Sequence, residues 1–140
     1  MENIVTSVFV YGTLRSSFAG EMQQCLRDHF LYAGDAKVRG ILYMGEYPVA
    51  VKSVNETFIA GELYRLKQGK EFSEAIRQLD EYEEVDQDRE KSLYLRELSE
   101  VIFNGYTVTA WMYWYNKPIL SERLIASGDI LNRIVITNKP

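Results

Sequence analysis

Apolar and polar positions divide the chain into runs with two different periods. Residues 4–11 are almost continuously apolar, β-branched and aromatic up to Gly12, the pattern of a strand covered on both faces. Between Gly20 and Phe30 the period lengthens. Met22, Cys25, Leu26 and His29 recur every three or four residues, which predicts a short helix with Cys25 and His29 toward the core or its edge. Residues 32–66 return to extended runs broken by Gly34, Gly40, Gly45, Pro48 and Asn55-Glu56. They predict a meander with strands at 33–38, 40–44, 49–51 and 57–66. Pro48 has no N–H to give a ladder, so residues 45–48 read as a turn that displays Tyr47.

A second helix is predicted over 70–82, with Phe72, Ala75, Ile76 and Leu79 as its apolar stripe and Glu71, Glu74, Arg77 and Gln78 on the wet side. Residues 86–90 are a charged loop. Two long strands follow, 93–103 and 106–115, joined at Asn104-Gly105, a strong hairpin signal. Both alternating sets of the return strand carry large side chains. Residues 118–140 hold a Ser127-Gly128-Asp129 turn and the apolar Ile134-Val135-Ile136, and no element is assigned there. Strands dominate without βαβ alternation, which predicts an α+β domain on a curved sheet or partly closed barrel.

Composition narrows the function classes. A chain of 140 residues, 46% hydrophobic and 26% charged, suits one domain spanning 1–140 that folds without disulfide or metal staples. The net charge of −4 disfavours partnership with nucleic acid or a membrane surface. Cys25 and His29 are the sole cysteine and histidine, so no intrachain disulfide or Cys/His zinc cage can form. A Ser-His-Asp mechanism would depend on His29, with no nucleophile elbow to accompany it. Cys25 reads as a small core residue and His29 as a helix-end residue. The start of the chain lacks the pattern of a secretory leader and no run approaches about 20 apolar residues, so the expected location is cytoplasmic.

One carboxylate has an unusual address. Glu83 continues the stripe Phe72, Ile76, Leu79 by one more step, so in a helix that persists this far it points toward the core. Burial, like charge from Asp80 and Glu84, and the negative end of the helix would all raise its pKa. Such a group can take and return a proton near neutral pH. On spacing alone, Asp80 to Glu84 reads first as the solvated end of a helix in an acidic protein. Gly12-Thr13 after an apolar strand likewise reads as a tight turn, without a phosphate-loop pattern around it. Tyr94, Tyr113 and the two tryptophans read as sheet packing or as pocket walls.

The segment from Val8 to Arg15, Val-Phe-Val-Tyr-Gly-Thr-Leu-Arg, resembles the opening strand and loop of the γ-glutamylcyclotransferase-like family, which includes the γ-glutamylamine cyclotransferases. The resemblance continues in order through Gly40-x-Leu42-Tyr43, Gly45-x-Tyr47-Pro48, Gly61-Glu62-Leu63-Tyr64, Leu79-Asp80-x-x-Glu83, Tyr94-x-Arg96 and Ala110-Trp111-x-Tyr113. It implies a small mixed-strand barrel flanked by two main helices. It also implies Glu83 as the catalytic acid/base, with Tyr11, Gly12, Thr13 and Leu14 as the substrate loop and Tyr47, Tyr94 and Tyr113 as pocket residues. The implied reaction closes a small γ-glutamyl substrate to 5-oxoproline and releases an amine, with no cofactor and no metal. The family usually has Gly after the catalytic Glu, where this chain has Glu84. That departure predicts an altered backbone path, and with it an alternative: a non-catalytic small-ligand-binding module of the same fold.

Overall fold

A computed structural model describes residues 4–12, 14–16 and 20–132. Eight strands and two α-helices run in the order β1 (Ser7–Val10), α1 (Glu21–His29), β2 (Phe30–Arg39), β3 (Ile41–Met44), β4 (Pro48–Val51), β5 (Phe58–Leu66), α2 (Phe72–Tyr82), β6 (Tyr94–Phe103), β7 (Tyr106–Tyr115) and β8 (Arg123–Leu124). Five of them close a barrel in the order β1-β5-β2-β6-β7. All of its ladders are antiparallel except the last, where β1 meets β7 in parallel at Val8 and Trp111. The fold is therefore α+β on a mixed-strand barrel.

β1 shows why a continuous apolar run is needed here. Phe9 and Tyr11 enter the barrel interior with Val38, Ile59, Leu63, Val101, Ala110 and Met112. Val8 and Val10 face outward, where they pack under the helices with Leu26, Phe30, Ala75, Ile76 and Leu79. Side chains alternate across a strand, so both alternating sets of β1 are apolar because both faces are covered. On β5 the same alternation sends Gly61 inward, and a Cβ there would lie 2.3 Å from the Val10 carbonyl oxygen. Only glycine allows β1 and β5 to approach this closely.

The meander expected over residues 32–66 is corrected. β2 pairs with β5 over nine positions, from Phe30 with Leu66 to Arg39 with Phe58. β3 and β4 leave the barrel after Gly40 and form a second sheet, completed by β8 against β3. Sequence pattern identifies strands but not partners, and the base of the excursion from Gly40 to Thr57 is joined by a hydrogen bond from the Gly40 N–H to the Thr57 oxygen. Pro48 is the first residue of β4, a position where its missing donor costs nothing. α1 passes into β2 with no loop between His29 and Phe30. Cys25 is half-buried at the seam with α2, its thiol donating to Gln78 Oε1 at 2.8 Å, rather than a core residue. His29 Nδ1 lies 3.0 Å from the Cys25 oxygen, at the helix end as expected. Ile134, Val135 and Ile136 lie outside the described residues.

Candidate active site

Helix α2 stops one residue short of the expected site. Its stripe buries Ala75, Ile76 and Leu79, and the last helical residue is Tyr82. Glu83 is the C-cap, at φ −85° and ψ 5°, and Glu84 turns into the left-handed region at φ 55°. The Val85 N–H then reaches back to the Asp80 oxygen at 2.9 Å and the Glu84 N–H to the Glu81 oxygen at 3.2 Å. These two bonds are the Schellman closure, which normally places glycine at the left-handed position. Glu84 thus takes a conformation that glycine would take more cheaply. The turn leaves Glu83 half-buried at the wall of a pocket.

That pocket has a volume of about 130 Å³. Phe9, Val10, Tyr11, Gly12 and Leu14 come to it from the end of β1 and its loop, Tyr47 from the β3–β4 turn and Pro48 from the start of β4, Tyr82, Glu83 and Glu84 from the end of α2, Leu93 from just before β6, and Tyr94 and Tyr113 from β6 and β7. Of the residues singled out in the sequence, Tyr11, Gly12, Leu14, Tyr47, Glu83, Tyr94 and Tyr113 thus converge on one cavity. Thr13 lies outside the described residues. The Gly12 carbonyl accepts from the Arg15 N–H at 3.0 Å, so the loop doubles back at once after β1.

The site's electrostatics follow from this enclosure. Burial raises the Glu83 carboxyl to about 7, with the Asp80 and Glu84 carboxylates adding in the same direction. No hydrogen bond to the Glu83 carboxylate occurs among the described residues. Tyr94 and Tyr113 are pushed far above the usual phenol range, chiefly by burial, and stay protonated. Their hydroxyls are already committed: Tyr94 donates to the Pro48 oxygen at 2.8 Å and Tyr113 to Asp80 Oδ1 at 2.7 Å. Tyr11 donates to the Tyr113 oxygen at 2.7 Å. These three rings therefore act as walls. Asp80 also takes a two-point contact from Arg96, Nε to Oδ1 at 2.8 Å and Nη2 to Oδ2 at 3.2 Å, which fastens the end of α2 to β6.

Sequence reasoning missed the apolar floor of Phe9, Val10 and Leu93, and the mouth residues Tyr82 and Glu84. It also missed a buried polar network behind the loop. Arg15 reaches Glu62 Oε2 at 3.3 Å and Asp129 Oδ1 at 2.8 Å, while Glu62 also accepts from the Ser16 N–H at 2.7 Å, the Ser16 hydroxyl and the Tyr64 hydroxyl. Arg15 and Glu62 are 5% and 3% exposed, so this is a buried ion pair. Arg15, Glu62 and Tyr64 stand inside two of the matching motifs, whereas Ser16 lies outside them and Asp129 was legible only as part of a turn. Among the described residues no group of three or more His, Cys, Asp or Glu could hold a metal ion, and no helix is long and apolar enough to cross a membrane.

Comparison with known proteins gives a family and a fold. The family model described as gamma-glutamyl cyclotransferase, AIG2-like, matches residues 8–132. A Methanocaldococcus jannaschii protein with a provisional gamma-glutamylcyclotransferase name is 28% identical over 123 residues, which are 87% of this chain and 92% of that protein. The solution structure of ytfP from Escherichia coli superposes with a TM-score of 0.62 at 28% identity, covering 91% of this chain and 98% of that one. The crystal structure of YkqA from Bacillus subtilis superposes at 0.70 with 23% identity over 97% of this chain, which spans 44% of YkqA.

Proposed function

Because the chain belongs to the gamma-glutamyl cyclotransferase, AIG2-like family, we propose that its pocket converts a small γ-glutamyl-amine or related γ-glutamyl conjugate to 5-oxoproline and a free amine, with Glu83 as general acid/base. One observation carries this reading: a carboxyl group raised to about 7 stands in the wall of a pocket that the β1 loop also lines. The volume of about 130 Å³ suits a small acyl group, being well below the ~300–1,000 Å³ of sites for drug-sized ligands.

The substrate's α-nitrogen forms a bond to its own γ-carbonyl carbon, and the bond from that carbon to the leaving nitrogen breaks. In becoming the lactam N–H the α-ammonium gives up two protons, and the departing amide nitrogen takes up two to leave as an ammonium; the Glu83 carboxylate carries them one at a time, so atoms and charge balance without oxidant or reductant. Nucleophile and electrophile are tethered, which leaves the protein to fold the substrate, handle the proton and bind the oxyanion. No lysine, arginine or histidine stands among the described lining residues. Backbone N–H groups of the loop at 12–14 are thus the donors assigned to the α-carboxylate or the developing oxyanion. Tyr11, Tyr47, Tyr94 and Tyr113 enclose the chain of the substrate.

The test is 5-oxoproline release from a panel of γ-glutamyl amines and γ-glutamyl amino acids. Glu83→Gln is expected to lower turnover by about 10²–10⁴-fold, and kcat/KM of the natural enzyme is expected to fall as pH drops below about 7. Absence of product from the whole panel would refute the activity, and turnover by Glu83→Gln near that of the natural enzyme would refute the role of Glu83. The binding-module alternative was motivated by Glu84 in place of glycine. Since Glu84 takes the left-handed turn, its backbone does not favour that alternative. Saturable binding without product would restore it.

A further inference from the structure

The pocket has two unlike halves. Its inner wall is buried and apolar, made of Phe9, Val10, Tyr11, Leu14, Tyr94 and Tyr113. Its mouth is exposed, with Tyr47 at 52%, Tyr82 at 44% and Glu84 also open to solvent. Two aromatic side chains and a carboxylate form a surface suited to an organic cation, because ring faces and an anion attract the same charge. Within the described residues Glu84 has no ion pair and its side chain makes no hydrogen bond. Glu46 adds a second negative charge next to the Tyr47 hydroxyl. Nothing positive lines the cavity among the described residues to offset them.

Resting on the reaction proposed above, we infer that Glu84 is a specificity-determining residue, and that the mouth formed by Glu84, Tyr47 and Tyr82 selects leaving amines that carry a second positive charge. The polarity follows from the layout. The α-carboxylate must reach the backbone donors of Gly12 and Leu14 beside the inner wall, and Glu83 must meet the scissile nitrogen. The part of the substrate beyond that nitrogen then extends past Glu84 toward solvent. A leaving group ending in an ammonium or guanidinium meets attraction there, and one ending in a carboxylate meets two glutamates of its own sign.

Three conjugates of equal length make the comparison: γ-glutamyl groups on an alkylamine, on a diaminoalkane and on an ω-aminoalkanoate. In the natural protein the diaminoalkane conjugate is expected to exceed the ω-aminoalkanoate conjugate in kcat/KM by about tenfold at low salt, with the ratio shrinking as salt rises. Glu84→Gln is expected to reduce that ratio by about fivefold, the order expected for one exposed charge pair. Glu84→Asn, which tolerates the left-handed turn, should do the same, and Glu84→Lys should reverse the preference. A natural-protein ratio near one, or a ratio that all three variants leave unmoved, would overturn the inference while the cyclotransferase reading stands. Absence of turnover on every conjugate would sink that reading instead. Calorimetric binding of the same conjugates then reads the ratio as affinities, where equal affinities overturn the inference and a Glu84-dependent difference supports it.

Discussion

Glu83 stands where desolvation and function pull against each other. Its carboxyl is held at about 7, against an ordinary value of 4.5, so between those pH values the folded chain binds a proton that the unfolded chain has released. By linkage, stability falls as pH rises through that window, because the folded state must give up the extra proton. That difference corresponds to roughly 3 kcal/mol as an upper bound. Glu83→Gln, which carries no charge to desolvate, is therefore expected to be more stable than the natural protein at pH 8. The gain should decline with falling pH and vanish below about pH 4.5. Urea denaturation at pH 4.5, 6 and 8 checks this, and a gain that does not vary with pH would contradict the burial argument.

At the level of elements, the end of α2 is the joint that presents the carboxylate. A left-handed conformation costs a residue with a Cβ roughly 1–2 kcal/mol, partly offset because glycine has more freedom to lose on folding, about 0.5–1 kcal/mol. Glu84→Gly is accordingly expected to stabilise the fold by roughly 0.5–1 kcal/mol, read as a rise in denaturation midpoint at unchanged slope. A fall would mean that Glu84 makes a stabilising contact which outweighs its strain. Asp80 is the other control on this joint. Because its charge raises the Glu83 carboxyl, Asp80→Asn is expected to move the acidic limb of kcat/KM to lower pH, whereas a purely structural loss would lower the profile without shifting it. The stripe that pointed to Glu83 was legible because helical period is local, and so was the hairpin at Asn104-Gly105, where both residues take positive φ at 52° and 80°. The Schellman turn was not legible, since Glu84 is a poor residue for it. Tyr82 and Glu84 as a pocket mouth were hidden for a related reason: exposed polar residues after a helix carry no pattern that separates a wall from a solvated end.

Across the whole molecule, what sequence pattern left open was which distant segments meet. The parallel closure of β1 on β7, the pairing of β2 with β5 and the pairing of Met44 with Arg123 all join strands far apart in the chain. The segment after Lys117, unassigned from its sequence, supplies β8 to the second sheet and places Ile125 and Ile130 in the barrel core. It also supplies Asp129, which binds Arg15 from one side while Glu62 on β5 binds it from the other. Arg15 thus joins the loop beside the pocket, the barrel wall and the end of the described chain, and its burial sets the energetics. Removing one partner of a buried ion pair costs about 3–5 kcal/mol when the remaining charge is stranded. Here each acid still compensates Arg15 when the other is neutralised, so Glu62→Gln and Asp129→Asn singly are expected to cost only about 1–3 kcal/mol each. The double variant leaves Arg15 without a counter-charge, and its cost should exceed the sum of the single costs by about 1 kcal/mol or more. Denaturation of all four proteins at pH 7 closes the cycle. Strict additivity would show that the two acids act independently, and the loop at 12–15 would then be held by Glu62 through Ser16 and Tyr64 rather than by a charge network spanning the chain.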